Sequence, residues 1–337
     1  MKRINILALL CILLLICSCN NERGGNQASS NKLRNGQIEM KGYPNTDFIM
    51  SFTATVKSIT IDWGDGIVEE ITPNGIERTF THIYSNENYK TITVSTDSMT
   101  YFATGIHDLY KGKIGNSGEY HELRFGDCIE LEEIKCSGEK LITLDVSNKS
   151  ALTTLWCHKN QLTLLDISGC AALSRLDCYD NLLTSLNMSC CSSLEDLSCS
   201  GNQLTSLDMS KCRALVALGC GDNRLTSLNI SGCYKLSELY CSNNQLISLE
   251  IESRNLCLFD CSNNLLTSIE IESRLHSVNR YLRMFHCNNN QLTTDTLNSI
   301  FEALPIQNGY IAIGGNPGTS TCNKDVAVNK RWRVSTN

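Results

Sequence analysis

From Tyr120 onward the chain repeats itself. Leu131, Leu152, Leu173, Leu194, Leu215 and Leu236 follow one another at intervals of 21 residues, and Leu256 and Leu282 continue the series. Each full unit reads L-x-x-L-x-C-x-x-N-x-L-x-x-L-x-I-x-x-C-x-x, with Met or Val also allowed at the isoleucine. A unit this short cannot bury its own leucines. It must stack on copies of itself, so the chain is constrained to a solenoid whose coils share one core. Both L-x-C and L-x-I are period-two patterns that turn alternate side chains inward. Two extended segments per coil predict a mainly β, flattened solenoid with strands on both faces and little helix.

Asn160, Asn181, Asn202, Asn223, Asn244, Asn264 and Asn290 fill one position of the unit, while Glu139 stands there in the first. Inward amides at a turning chain satisfy backbone groups that would otherwise be buried without partners. The first half of each unit resembles the LxxLxLxxN form of leucine-rich repeats, with Cys as the third apolar residue, and the match is internalin-like. That resemblance covers about 200 residues. It implies a repeat solenoid and a protein that binds rather than catalyses.

The chain holds nineteen cysteines. Cys136, Cys157, Cys178, Cys199, Cys220, Cys241, Cys261 and Cys287 form the strand column, and Cys128, Cys170, Cys191, Cys212 and Cys233 a second column at the other turn. Leucine-rich repeats admit Asn or Cys at that second place. A buried Cys packs as a small hydrophobe. No CxxC or HxxxH spacing suggests zinc. Stacked Cβ atoms about 4.8 Å apart are also wider than the roughly 3.5–4.5 Å of a disulfide. Free packing thiols are therefore the favoured reading, with a disulfide ladder as the alternative. Cys190, Cys257 and Cys322 fit neither column.

Lys2 and Arg3 precede an apolar run from Ile4 to Ile16, too short for the roughly 20 residues of a membrane span. The run ends in "LLICSC", which resembles the lipobox of bacterial lipoproteins. The resemblance implies cleavage before Cys19, lipid on its sulfur, and a membrane-anchored protein exported to the envelope, at the outer membrane or cell surface. Residues 1–18 are then a signal peptide, and the polar, Asn-, Gly- and Ser-rich segment 19–36 a flexible tether.

Residues 37–110 carry short β-branched and aromatic runs broken by turns, the mark of a small β-sandwich. Asp62-Trp63-Gly64-Asp65-Gly66, followed by His82-x-Tyr84 and Tyr89, resembles the WGDG and HxY signatures of PKD-type immunoglobulin-like domains. Asn88 stands where that family has glycine. Asp62 and Asp65 read first as turn residues. Calcium is the alternative, for which two carboxylates fall short of the six to eight oxygens such an ion takes.

The repeat solenoid is assigned to 111–293 and a short α/β C-terminal cap to 294–337. In the cap "TDTLNSIFEAL" has Thr294 as N-cap and apolar residues at helical spacing. The interval between Asn264 and Asn290 lengthens to 26 residues and brings in Arg274, Arg280 and Arg283, a loop with a local basic spot.

Strand geometry then identifies the surface a partner can read. On the L-x-C face the outward column runs Trp156, Asp177, Ser198, Gly219, Tyr240, Asp260 and His286. Beside it lie His158, Tyr179, Ser200 and Gly221. The opposite face is uniform by comparison, with Asp166, Asn187, Asp208, Asn229, Glu250 and Glu270. Trp156, His158, Asp177 and Tyr179 at one end and Tyr240 at the other, with Ser198 and Gly219 as a floor, make the candidate ligand-binding residues for a protein or glycan.

A net charge of −6 without a basic run argues against nucleic acid. No G-x-S-x-G, HExxH or phosphate-cradling loop occurs, and no cofactor or metal is expected. Asp177 and Asp260, four rungs or about 19 Å apart, exceed the roughly 9.5 Å limit of a glycosidase pair. The reading is therefore a monomeric, non-enzymatic adhesion or binding protein. A structural spacer without a specific ligand is the alternative.

Overall fold

The computed structural model describes residues 37–337 except 45–46, 55–57, 73–77, 85–88, 97–98, 105, 109–112, 116–117, 127, 254 and 272–281. The expected lipid site Cys19, the tether, Asn88, Arg274 and Arg280 lie outside the described residues. Among those described, no helix is long and apolar enough to cross a membrane.

The N-terminal region is built on two main sheets, and Ile106–Asp108 and Lys113–Gly115 form a separate antiparallel pair. In one, Gln37–Pro44 pairs antiparallel with Lys90–Ser95 and with Gly118–Phe125, and Ile59–Asp62 joins Lys90–Ser95 to Val68–Ile71. In the other, Asp47–Thr53 pairs antiparallel with Arg78–Ile83 and Tyr101–Thr104. The expected alternation is seen at Ile59 and Ile61, both buried, with Asp62 exposed. Phe102 of one sheet meets Phe125 of the other edge-to-face, with ring centroids 5.3 Å apart. The boundary expected at residue 110 moves: Gly118–Phe125 is an N-terminal strand, with Ile38 opposite Phe125 and Met40 opposite Leu123. Its last residues run straight into the first repeat, which hid the strand in the sequence.

Both sheets continue into the solenoid. Tyr101–Thr104 pairs in parallel with the first L-x-C strand, Glu133–Lys135, and Gly118–Phe125 pairs in parallel with Thr143–Asp145. Beyond that junction Thr154–Trp156, Arg175–Asp177, Asp196–Ser198, Ala217–Gly219, Glu238–Tyr240, Leu258–Asp260 and Met284–His286 stack in parallel, each central Leu or Phe facing its counterpart on the next coil. The strands are three residues long because the chain turns directly after the buried Cys. The residue before each Asn adopts left-handed backbone, as at Lys159 (φ 56°), Asp180 (53°), Gly201 (65°) and Asp222 (52°). Asp, Asn and Gly tolerate that region best.

The asparagine column closes these turns. Asn202 donates to the carbonyls of Cys178 (3.1 Å) and Cys199 (3.0 Å) and accepts from the Leu183 amide (3.0 Å). The other members repeat this pattern, each tying its own coil to the preceding one. The cysteine column of the second turn works similarly: the thiols of Cys170 and Cys233 donate to the carbonyls of Val146 (3.2 Å) and Met209 (3.4 Å). Lys149 occupies the slot between Cys128 and Cys170, buried, with its ammonium donating to Gly126 O at 2.8 Å. Cys190 takes the Ile167 carbonyl (3.2 Å) that the register would give Cys191. Cys322 is buried in the cap and Cys257 is half-buried. None of the described cysteines is in a disulfide.

The second face is sheet only in part. Ser206–Asp208 pairs with Ser227–Asn229 and Ser248–Ile251 with Ser268–Ile271, while Asp145 and Asp166 share a single bridge. Its polar column has a local task, for Asp166, Asn187, Asp208 and Asn229 each accept from the backbone amide two residues on, at 2.9–3.1 Å. These side-chain turns redirect the chain and keep the paired segments short.

At the C-terminus the helix cap is Thr293, not Thr294. Thr293 is extended (φ −78°, ψ 171°), so its hydroxyl reaches the Thr296 amide, whereas Thr294 is already helical and its hydroxyl meets that of Thr321. The helix Thr294–Ala303 buries Leu297, Ile300 and Phe301. Gly309–Ala312 and Trp332–Ser335 then add two more parallel strands to the L-x-C face.

Candidate binding face

The L-x-C face is one continuous parallel surface, and the strand register aligns its outward residues. Trp156, Asp177, Ser198, Gly219 and Tyr240 are successive partners across five neighbouring strands. At strand spacing they span about 19 Å.

The Trp156 end is built from mutual contacts. His158 and Tyr179 stack with centroids 4.4 Å apart and planes within 7°. His158 Nδ1 lies 3.2 Å from Asp177 Oδ2 and 3.0 Å from Ser137 Oγ. Lys135 places its ammonium 4.6 Å from the Trp156 ring centre and 5.1 Å from that of Tyr101, while pairing with Glu133 at 2.8 Å. Trp156 is thus half-buried with one ring face already against a cation. The rings of Trp156, His158 and Tyr179 are held by neighbours rather than standing free.

Tyr240, at the other end, is 39% exposed, and its hydroxyl donates to Glu238 Oε2 at 3.4 Å. Burial, joined by the Glu238 charge, pushes its phenol above the ordinary value. Between the two ends the floor is low. A Cβ added at Gly219 would find only ordinary contacts, the nearest being Ser200 Oγ at 3.6 Å. The backbone therefore does not require glycine there. Gly221 is tighter, with Ser242 O at 3.2 Å from such a Cβ.

A second outward column escaped the sequence reading. The residues preceding each central Leu or Phe, namely Glu133, Thr154, Arg175, Asp196, Ala217, Glu238 and Leu258, share this face. The same alternation that turns x of L-x-C outward turns these outward too, so the signal was present. Burial pushes the Asp196 carboxyl above its ordinary value, Arg175 opposes this, and Asp177 and Glu238 reinforce it. Asp177 Oδ1 is shielded from solvent with no hydrogen-bond partner.

The N-terminal carboxylates serve their own turn. Asp62 accepts from the Gly64 amide (2.9 Å), and Asp65 from the Ile67 amide (3.1 Å) and from His82 (2.8 Å). Burial pushes the Asp65 carboxyl up, but the His82 and Ile67 bonds outweigh it and hold the group below its usual range. His82 stacks on buried Trp63 at 4.6 Å, and Tyr84 donates to the Trp63 carbonyl at 2.9 Å. Gly64 (φ 75°) has no room for a side chain, since a Cβ would lie 2.4 Å from Thr91 O.

No protein-family model matches the chain, and no curated protein matches its sequence. Among solved structures it is similar to the functional domain of InlJ from Listeria monocytogenes, described as including a cysteine ladder: 24% identity over 66% of this chain and 52% of that one, TM-score 0.48. The internalin InlF from Listeria monocytogenes matches at 18% identity over 62% of each chain, TM-score 0.48. The leucine-rich-repeat domain of APL1B matches at 20% identity over 60% of each, TM-score 0.51. The chain thus spans between half and two thirds of these relatives' lengths. The fold is a mainly β solenoid of the leucine-rich-repeat type, and its structural neighbours are internalins and other leucine-rich-repeat proteins.

Proposed function

We propose that this chain is a non-enzymatic binding protein of the bacterial envelope, anchored through lipid on Cys19, which engages a protein ligand with the L-x-C face. The observation that carries the reading is the contrast between the two faces. Asp166, Asn187, Asp208 and Asn229 of one are used in repeated side-chain turns, whereas the other presents a changing residue from rung to rung, with Trp156 and Tyr240 bracketing a floor of Ser198 and Gly219. His158, Asp177 and Tyr179 brace the Trp156 end. Residues 37–125 fit a PKD-like spacer between the anchor and the first coil, supported by the Trp63, His82 and Tyr84 cluster. The protein acts as a monomer.

Two variants test the face in different senses. Trp156→Ala combined with Tyr240→Ala removes both walls, and Gly219→Leu fills a floor where the backbone has no need of glycine. Both are expected to weaken at least tenfold the capture of any ligand found on a protein array, with unchanged circular dichroism. Capture unaffected by either would reject the site. Separately, Cys19→Ala is expected to release the protein from the membrane fraction, and full retention would reject the anchor.

A further inference from the structure

Beside the Ser198–Gly219 floor, the strands of the L-x-C face carry a charge imbalance that the turns do not require. On the strands from Arg175 to Tyr240 this face presents Asp177, Asp196 and Glu238 against a single Arg175, whereas Asp180 and Asp222 take the left-handed turn position and Asp260 caps the Ser262 amide at 3.0 Å. Around the floor, the strands thus present three acidic side chains against one basic one. On the opposite face, Asp166 and Asp208 each turn the chain by capping a backbone amide, at 2.9 Å. Here Asp196 and Glu238 stand in the strand itself, two rungs apart on either side of Ala217. They flank the floor formed by Ser198 and Gly219. Like charges stacked in this way repel, and Asp177 and Glu238 add to the burial that chiefly raises the Asp196 carboxyl, against the opposing Arg175. A fold that needed only solubility would scatter them.

Shape adds to charge. The floor is low, roughly 19 Å long and walled at both ends by aromatic rings. An extended chain rising about 3.3 Å per residue would cross it in about six residues. Trp156 already holds the ammonium of Lys135 against its ring at 4.6 Å, so the aromatic wall is of a kind that accepts cations. Asp177, beside it, is part-exposed, with its Oδ2 3.2 Å from His158 Nδ1.

We infer that the occupant of this face is an extended, Lys- or Arg-bearing segment of a partner protein, its cationic side chains meeting the carboxylates that border the Ser198–Gly219 floor. The inference rests on the proposed binding function and adds the chemistry of the partner. Such a segment would relieve the repulsion between the carboxylates. It would also be steered to the face by the long-range field, so its capture weakens as salt rises.

The test is selection from a displayed library of random dodecapeptides on the full chain, followed by titration of the selected peptides. Enrichment in Lys and Arg is expected. Asp177→Asn with Asp196→Asn and Glu238→Gln should cost at least tenfold in affinity. The matched change on the opposite face, Asp166→Asn with Asp208→Asn and Glu250→Gln, should leave affinity within twofold. Selected peptides that are neutral or acidic, yet are lost with Trp156→Ala and Tyr240→Ala, would overturn the basic partner and leave the face as the binding surface. Peptides indifferent to both sets of variants would overturn the face as well, as would a selection yielding nothing above background.

Discussion

A cysteine at a fixed place in every coil is a packing residue whose chemistry has been suppressed by burial. Cys199 is fully buried, and burial alone pushes its thiol from the ordinary 9.0 up to about 12; its column mates Cys178 and Cys220 are also raised well above the ordinary value, by burial first and then by the thiols on adjoining coils, Cys157 and Cys199 for Cys178, Cys241 and Cys199 for Cys220. The sign follows from linkage. A group whose folded pKa lies above its unfolded value contributes stability that is complete below the unfolded pKa and is lost as pH rises through the interval between the two. Between pH 9 and 12 each such thiol therefore withdraws about 1.4 kcal/mol per pH unit. Under reducing conditions the urea midpoint should fall steeply above pH 9, and Cys199→Ala should make that slope shallower by about one proton. A midpoint flat from pH 8 to 10.5 would mean the thiols ionise within the native coil. The asparagines are the polar counterpart. Each satisfies carbonyls on two coils at once, which is why the sequence could assign them to structure by spacing alone.

Elements differ in how far a repeat exposes them to reading. The three-residue strands were legible because Leu and Cys recur in register, and so was the helix Thr294–Ala303, with its apolar spacing. What lay beyond the helix was harder to see. Asn316 continues the asparagine column, donating to Cys287 O at 2.9 Å and accepting from the Leu292 amide at 3.1 Å. "IAIGGN" presents Ile311, Ile313 and Asn316 at the spacing of L-x-C-x-x-N. The helix inserted before it broke the 21-residue count and disguised the rung. Lys149 was missed for a different reason, since an amine replaces a thiol and only the shared job of reaching a carbonyl relates them. The helix itself seals the last coil by packing more than by capping. Phe301→Ala should cost about 3–5 kcal/mol, against about 1 kcal/mol for Thr293→Ala. Urea unfolding would show this ordering, and hydrogen exchange would place the loss around Phe285 and Leu292. Equal costs would make the cap a matter of the helix terminus alone.

At the scale of the molecule, the sequence divides into a sandwich and a solenoid, but the hydrogen bonds do not. Phe102 faces Ile134 across one parallel pair and Leu123 faces Leu144 across the other, so each sheet of the N-terminal region continues a face of the solenoid. The hydrophobic core likewise runs without a break from Ile38 to Trp332. The sequence could not show this junction, because the pairing joins strands of unlike pattern, an eight-residue strand and a three-residue one. Stability in a stacked array is a sum of coil terms and interface terms. Where the terminal interface is a double sheet junction, the end coil is not free to fray. The chain's three tryptophans stand at the ends and near the middle, Trp63 in the N-terminal region, Trp156 on the second L-x-C strand and Trp332 in the last strand. Variants retaining one at a time, with Phe at the other two positions, report each station separately. Coincident urea midpoints at all three are expected, together with a single calorimetric transition. A Trp63 midpoint displaced from the other two would show that the junction does not couple the N-terminal sheets to the coils, and that the two parts respond to load and to ligand independently.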